Sequence, residues 1–133
     1  MITEAQFNFL RVKKGILYFA RVAVAVLAGA KGVRLSANAG AEGPHTPESW
    51  LKAAKDGVER ALKKHLELGG TRVGLVINLV LGTGADTTDN SVEVAAFCAA
   101  WKVLGREESH LKFEFDGEWT VILPPPEPQC RQS

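Results

Sequence analysis

The chain has 133 residues, of which 46% are hydrophobic and 23% are charged, values typical of one globular domain with its own core. Its 16 basic and 15 acidic residues leave a net charge of +1. This balance argues against a strongly basic nucleic-acid-binding protein, although a local basic patch is compatible with it. The composition also argues against global disorder.

Targeting signals and disulfide patterns are missing from the sequence. Thr3 and Glu4 stand where a signal peptide would need a basic start and an apolar run. The longest apolar stretch, 22–30, is far shorter than the roughly 20 residues of a membrane helix. Cys98 and Cys130 show no disulfide or metal spacing. We therefore expect a reduced cytoplasmic protein with no membrane contact, no metal and no cofactor.

The first part of the chain alternates apolar and polar residues, which is typical of strands. The predicted elements in chain order are a short strand around Phe7 and Phe9, a turn at 13–15, a long strand over Ile16–Leu27, a turn at 31–32 and a third strand over 33–38.

The middle of the chain predicts a helix followed by a strand. Thr46 provides a hydroxyl cap and Pro47 a favourable first residue, and the helix ends at Gly69. His65 lies in its last turns, where a cation suits the free carbonyls. The segment 72–81 alternates as a fourth strand.

The second half predicts a polar loop over 82–89, a second helix and a hairpin. Asn90 and Glu93 form a capping-box pattern at the start of the helix, which ends at Gly105. The segment 111–123 predicts a β-hairpin. Both helices are predicted to be amphipathic.

Three strands, a helix, a strand, a helix and a hairpin predict an α+β fold. We expect a single mixed β-sheet covered on one face by two helices. Residues 1–126 are predicted to form one domain, and residues 127–133 a flexible tail.

Several segments carry a resemblance to a known family. They are Phe9-Leu10-Arg11 with the turn at Gly15, then Pro47-Glu48-Ser49-Trp50, the helix segment 54–61 with its internal Gly57, Asp89-Asn90-Ser91 and the pair Ala96-Phe97. Together they resemble the fourth domain of translation elongation factor G over most of residues 7–104. The resemblance implies a fold like the second domain of ribosomal protein S5, with its left-handed βαβ crossover. It also implies two tips that reach the decoding region of the small ribosomal subunit.

The sequence departs from that family at both tips. The histidine of the family's second tip is missing, and Ala85 or Asp86 stands near its place. The first turn lacks the family's repeated glycines. The chain has no G-x-x-x-x-G-K-[ST] motif, so no GTP site is expected in it.

Two groups of residues are candidate binding sites. The loop before the second helix holds Thr83, Asp86, Thr87 and Asp89, where free backbone N–H groups suit an anion and carboxylates suit a cation. The alternative is that Asp89 caps the helix and Asp86 is only solvated.

The second group consists of four basic residues near two turns: Lys13, Lys14, Lys31 and Arg34. They are suited to RNA phosphates, or alternatively they keep the turns and a sheet edge soluble.

Three functional hypotheses follow. The first is a non-enzymatic, translation-related binding module that contacts the ribosome or another RNA. The second is a module for a protein partner or for self-association. The third is a small enzyme that would join Asp86 and Asp89 to His45 or a lysine.

Overall fold

The computed structural model describes residues 4–27, 32–36, 47–82, 86–106 and 111–122. Its elements in chain order are β1 (Glu4–Lys13), β2 (Ile16–Leu27), β3 (Gly32–Leu35), α1 (Glu48–Glu67), β4 (Gly74–Leu81), α2 (Asp89–Val103), β5 (Lys112–Phe115) and β6 (Trp119–Ile122). The predicted cap Thr46 and the predicted tail 127–133 lie outside these residues.

The strands β1 and β2 form a long antiparallel hairpin. Their pairing runs without interruption from Glu4 opposite Ala25 to Lys13 opposite Ile16. Lys14 and Gly15 both have positive φ, 54° and 78°. This backbone matches the twist of a two-residue hairpin turn, and glycine adopts it without strain.

The main sheet has four strands in the order β1-β2-β4-β3. β2 pairs with both β1 and β4 in the antiparallel direction, whereas β3 pairs with β4 in the parallel direction. Since β3 and β4 are parallel, α1 provides the crossover between them. The predicted α+β class with a mixed sheet and two helices is therefore confirmed.

The structure differs from the sequence prediction in three strands. β3 ends at Leu35, and residues 37 and 38 of the predicted strand lie outside the described part of the chain. Among the described residues, β5 and β6 pair only with each other and form a separate two-stranded sheet instead of joining the single sheet that was predicted.

The helix α1 is amphipathic, as predicted. Its buried residues recur at helical spacing: Trp50, Ala53, Ala54, Gly57, Val58, Ala61, Leu62 and His65. The opposite side carries exposed lysines and acids.

The helix α2 is not amphipathic, which contradicts the sequence prediction. Of its residues, 92 and 94–101 are all buried, together with Ser91 and Val103. The helix contacts α1, the strands β1 and β2, and also β6. It is therefore the central element of the core.

The two helices pack at very short distance around Gly57. A Cβ at this position would clash with the carbonyl oxygen of Glu93 and lie 3.1 Å from the Cβ of Ala96. Arg60 pairs with Glu93 at 2.7 Å and its guanidinium lies 5.5 Å from the ring centroid of Phe97. Glycine at 57 is therefore required by the approach of the two backbones.

An aromatic cluster joins the hairpin β5–β6 to the main sheet. The ring of Trp119 lies 5.3 Å from that of Phe9 and 5.8 Å from that of Tyr18, between centroids. Phe113 also packs against Phe9, at 5.6 Å. All three tryptophans, Trp50, Trp101 and Trp119, are buried in the core.

Within the described ranges, neither helix has the length and apolar character that crossing a membrane would require.

Candidate functional site

The β1–β2 turn and the segment just before α2 lie at the same end of the sheet. β4 pairs with β2 only from Arg21 onward, so the β4 side of β2 is open between the turn and Arg21. Residues 86–87 occupy this side. The N–H of Phe19 donates to the carbonyl of Asp86 at 2.8 Å, and the Thr87 hydroxyl donates to the carbonyl of Phe19 at 2.6 Å.

Thr87 stabilises the position of residues 86–87. Its side chain is buried, and it packs directly on Gly82, where a Cβ would clash with it. Asp86 is half-buried, and Asp89 is exposed in the first turn of α2. Thr83 lies outside the described residues.

The start of α2 differs from the predicted capping box. The N-cap is Thr88, whose Oγ1 accepts from the N–H of Ser91 at 3.0 Å, while the Ser91 hydroxyl accepts from the N–H of Thr88 at 2.9 Å. The roles assigned to Asn90 and Glu93 are therefore wrong.

Asn90 instead holds the hairpin β5–β6. Its Oδ1 accepts from the N–H of Trp119 at 2.6 Å, and its Nδ2 donates to the carbonyl of Trp119 at 2.9 Å. The amide thus satisfies both backbone groups of one strand residue, as a neighbouring strand would. This contact competes with capping and explains why the cap falls on Thr88.

We use the name basic tip for residues 10–17 at the end of the β1–β2 hairpin. Arg11, Lys13 and Lys14 are all exposed there. No acidic residue occurs in the sequence between Leu10 and Arg21. The Arg11 guanidinium lies 4.9 Å from the ring centroid of Phe113, which supports its position.

The basic tip also exposes large aliphatic side chains, which the sequence analysis did not anticipate. Leu10 is 54% exposed, Val12 66%, Ile16 54% and Leu17 37%. The sequence does indicate this exposure. Leu10 and Val12 alternate with the buried Phe9 along β1, so their side chains must point to the opposite face of the sheet. In the cross-strand register, Val12 lies opposite Leu17 and so shares that face with it.

The four basic residues predicted to act together are not brought together. Arg34 pairs with Val76, which pairs in turn with Ala25. Lys13 pairs with Ile16, and Ala25 lies nine positions farther along β2. At about 3.3 Å per residue, this separation is roughly 30 Å. Lys13 and Lys14 therefore lie at one end of the sheet and Arg34 toward the other. Lys31 lies outside the described residues.

The far end of the molecule contains a cavity of about 410 Å³ lined by His65, Thr71, Val73 and Gly105 among others. Burial and the nearby Arg106 lower the pKa of His65, and a backbone hydrogen bond at Thr71 opposes this in part. The prediction that His65 acts as a cation at the end of α1 is therefore wrong. His45 and His110 lie outside the described residues.

Comparison with known proteins gives a fold relationship. No protein-family model and no curated protein matches the chain. Among solved structures, the chain is similar to a crystal structure of a Thermus thermophilus protein, with a TM-score of 0.59 and 17% sequence identity. The match covers 78% of this chain and 16% of the other. At this identity, the likeness shows the fold alone.

That likeness is compatible with a fold of the elongation factor G domain IV type, and the fold is like the second domain of ribosomal protein S5. A second similar structure is homoserine kinase from Cytophaga hutchinsonii ATCC 33406, with 21% identity and a TM-score of 0.47. This match covers 80% of this chain and 37% of the kinase, and it carries no argument about function. The chain thus spans well under half of the length of either protein.

Proposed function

We propose that this chain is a non-enzymatic binding module that contacts RNA, on the ribosome or elsewhere, through the basic tip. The observation that carries the proposal is the exposure of Arg11, Lys13 and Lys14 at one end of a hairpin that has no acidic residue between Leu10 and Arg21. Cations at the end of a hairpin whose own sequence contributes no carboxylate attract phosphates, which dominate affinity for nucleic acids.

The geometry of the tip supports such a contact. The turn at Lys14 and Gly15 is tight, and the strands beside it pair in one register, so the backbone positions that carry the cations are fixed relative to one another. The segment at Asp86 and Thr87 is bonded to β2 and supports the base of the tip. A rigid, narrow hairpin loses little conformational entropy when it binds.

The exposed aliphatic side chains suit the same role. Leu10, Val12 and Leu17 offer apolar surface at the same narrow tip, on the face of the hairpin opposite to that of Arg11 and Lys13. Proteins that bind nucleic acids often add such apolar contacts to phosphate contacts, for example where a side chain packs against bases or sugars.

The test is binding of the purified chain to small ribosomal subunits and to an unstructured RNA at low salt, by co-sedimentation and by gel shift. We expect K13E/K14E to weaken binding at least about tenfold. A plot of the logarithm of the association constant against the logarithm of the salt concentration should also become less steep by about 2, because two phosphates of the RNA would no longer be neutralised.

The matched control is K55E/K63E, which makes the same change of charge on exposed positions of α1, away from the basic tip. It should bind like the unchanged protein. Absence of RNA and subunit binding at low salt, or equal weakening in both double variants, would show the proposal to be wrong. Binding to anionic lipid vesicles in place of RNA would assign the basic tip to a membrane surface and would equally overturn it.

A further inference from the structure

The outer edge of the main sheet is formed by β1. β1 is the first strand in the order β1-β2-β4-β3, and no strand in the described part of the chain pairs with its other side. A free edge carries unpaired N–H and C=O groups along its length, which can pair with another strand.

The hydrogen bonds at Phe19 show which residues of β1 present these groups. Both the N–H and the C=O of Phe19 are engaged on the side of Asp86 and Thr87, away from β1. Phe19 and its partner Leu10 are therefore a non-hydrogen-bonded pair, and the N–H and C=O of Leu10 must point outward.

One acceptor on this edge is engaged within the chain. The side chain of Arg11 donates to the carbonyl of Leu10 at 3.1 Å, so Arg11 must release this carbonyl when another strand pairs there. Because the pattern repeats every second residue, the outward-pointing set is Glu4, Gln6, Asn8, Leu10 and Val12.

Among the described residues no strand covers this edge, and its pairing is regular. All five outward-pointing residues are exposed. The strand contains no proline, and its register with β2 has no bulge. Natural edges are usually protected by such irregularities or by being short, and β1, at 10 residues, has neither protection.

The charges along β1 indicate what would pair with it. Glu4 stands at the start of the strand, while Lys13 and Lys14 stand at its end. A second copy of β1 running antiparallel would place Glu4 of each copy beside the lysine end of the other. A parallel copy would place like charges together.

We propose that β1 is a self-association edge, at which two copies of the chain pair their β1 strands antiparallel about a two-fold axis near Asn8. This register gives every outward-pointing residue a partner and joins two four-stranded sheets into one. The two basic tips then lie at opposite ends of the paired strands, so both remain accessible.

The first test is the mass of the full chain by light scattering and analytical ultracentrifugation across concentration. We expect twice the chain mass of 14.3 kDa at high concentration. Gln6→Pro removes an outward N–H without removing a bond to β2, and it should raise the dissociation constant at least about tenfold.

The matched control for this variant is Gln6→Ala, which loses the same side chain but keeps the N–H and should remain dimeric. Circular dichroism and thermal unfolding establish that both variants are folded. A monomer at all concentrations up to about millimolar, which corresponds to a very weak association, would overturn the proposal, as would equal dissociation of the two folded variants.

The second test exchanges charges between copies. Glu4→Lys alone and K13E/K14E alone should each weaken self-association, because like charges then meet at both ends of the interface. An equimolar mixture of the two variants should form a heterodimer, since the opposite charges meet again. A mixture no more dimeric than its components would exclude the antiparallel β1 pairing.

Discussion

Nε of Arg106 donates a hydrogen bond of 2.9 Å to Nδ1 of His65, which joins the end of α2 to the last turn of α1. The Arg106 guanidinium also lies 5.3 Å from the ring centroid of Trp101. Because arginine can only donate, Nδ1 must carry a lone pair, so the folded state requires a neutral imidazole. His65 therefore makes this hydrogen bond between the two helix ends only when its imidazole is neutral.

This relationship predicts a dependence of stability on pH. The pKa of His65 is lowered from its usual 6.5 by burial and by Arg106, so the unfolded chain binds a proton more readily than the folded one. The contribution of His65 is fully present above pH 6.5 and is lost as the pH falls toward the lowered pKa. Urea unfolding at pH values from 7.5 to about 5 measures it.

Carboxylates also titrate in the acid range, so a matched variant is needed. His65→Gln keeps an acceptor for Arg106 but does not titrate. Its free energy of unfolding should fall less steeply between pH 7 and about 5 than that of the unchanged protein. Parallel pH profiles for the two proteins would contradict the role given to His65.

The close approach of the helices predicts that Gly57→Ala is destabilising. Alanine normally favours a helix over glycine, but here its Cβ would meet the carbonyl of Glu93. We expect a loss of about 1–3 kcal/mol in the free energy of unfolding. Lys55→Ala on the exposed side of the same helix should change it by less than about 0.5 kcal/mol, and a neutral Gly57→Ala would show that the helices can separate freely.

The double hydrogen bond of Asn90 predicts that it fixes the hairpin β5–β6. Asn90→Ala leaves the N–H and the carbonyl of Trp119 without their partner and should cost about 2 kcal/mol. Hydrogen exchange should rise first in β5 and β6. Asn78→Ala, which removes an exposed bond to Glu4, is the control and should have little effect.

The cap at Thr88 predicts a local loss of stability at the start of α2. Thr88→Ala should cost about 1 kcal/mol, and Thr88→Ser should retain most of the stability because it keeps the hydroxyl. Denaturant unfolding of both variants provides the comparison. If Thr88→Ser proved as costly as Thr88→Ala, the cap assignment would need revision.

The regular elements could be predicted from the sequence because their periodicity is strong. The long strand Ile16–Leu27 was predicted with the bounds found, and the alternation of 72–81 located β4 within two residues of its start. In these segments local pattern and tertiary packing agree, so a single sequence suffices.

Two features depend on tertiary packing and could not be predicted from the sequence: the complete burial of most of α2 and the position of its N-cap. In α2, Ala95 and Ala96 precede Phe97, and Ala99 and Ala100 precede Trp101; such small residues fit equally on a buried or a half-exposed helix. The cap was misplaced because Asn90 is as good a capping residue as Thr88 until its contact with Trp119 is known.

The candidate site was predicted in part. Lys14 lies in the turn as predicted, Lys13 is the last residue of β1 beside it, and the structure puts the segment of Asp86 and Thr87 near the same end. The separation of Arg34 from them follows from the strand order, which local pattern does not contain. Their role in binding stays a prediction.

The parallel arrangement of α1 and α2 has an electrical consequence. Gly57 meets Glu93 near the start of α2, and His65 meets Arg106 past its end, so the peptide dipoles of both helices point in the same direction. Their positive poles face the end of the sheet that carries Lys13 and Lys14. Glu48 and Asp89 in the first turns, with Lys64 and Lys102 in the last turns, carry charges opposite to the poles beside them, so each helix is neutralised at both ends by its own side chains.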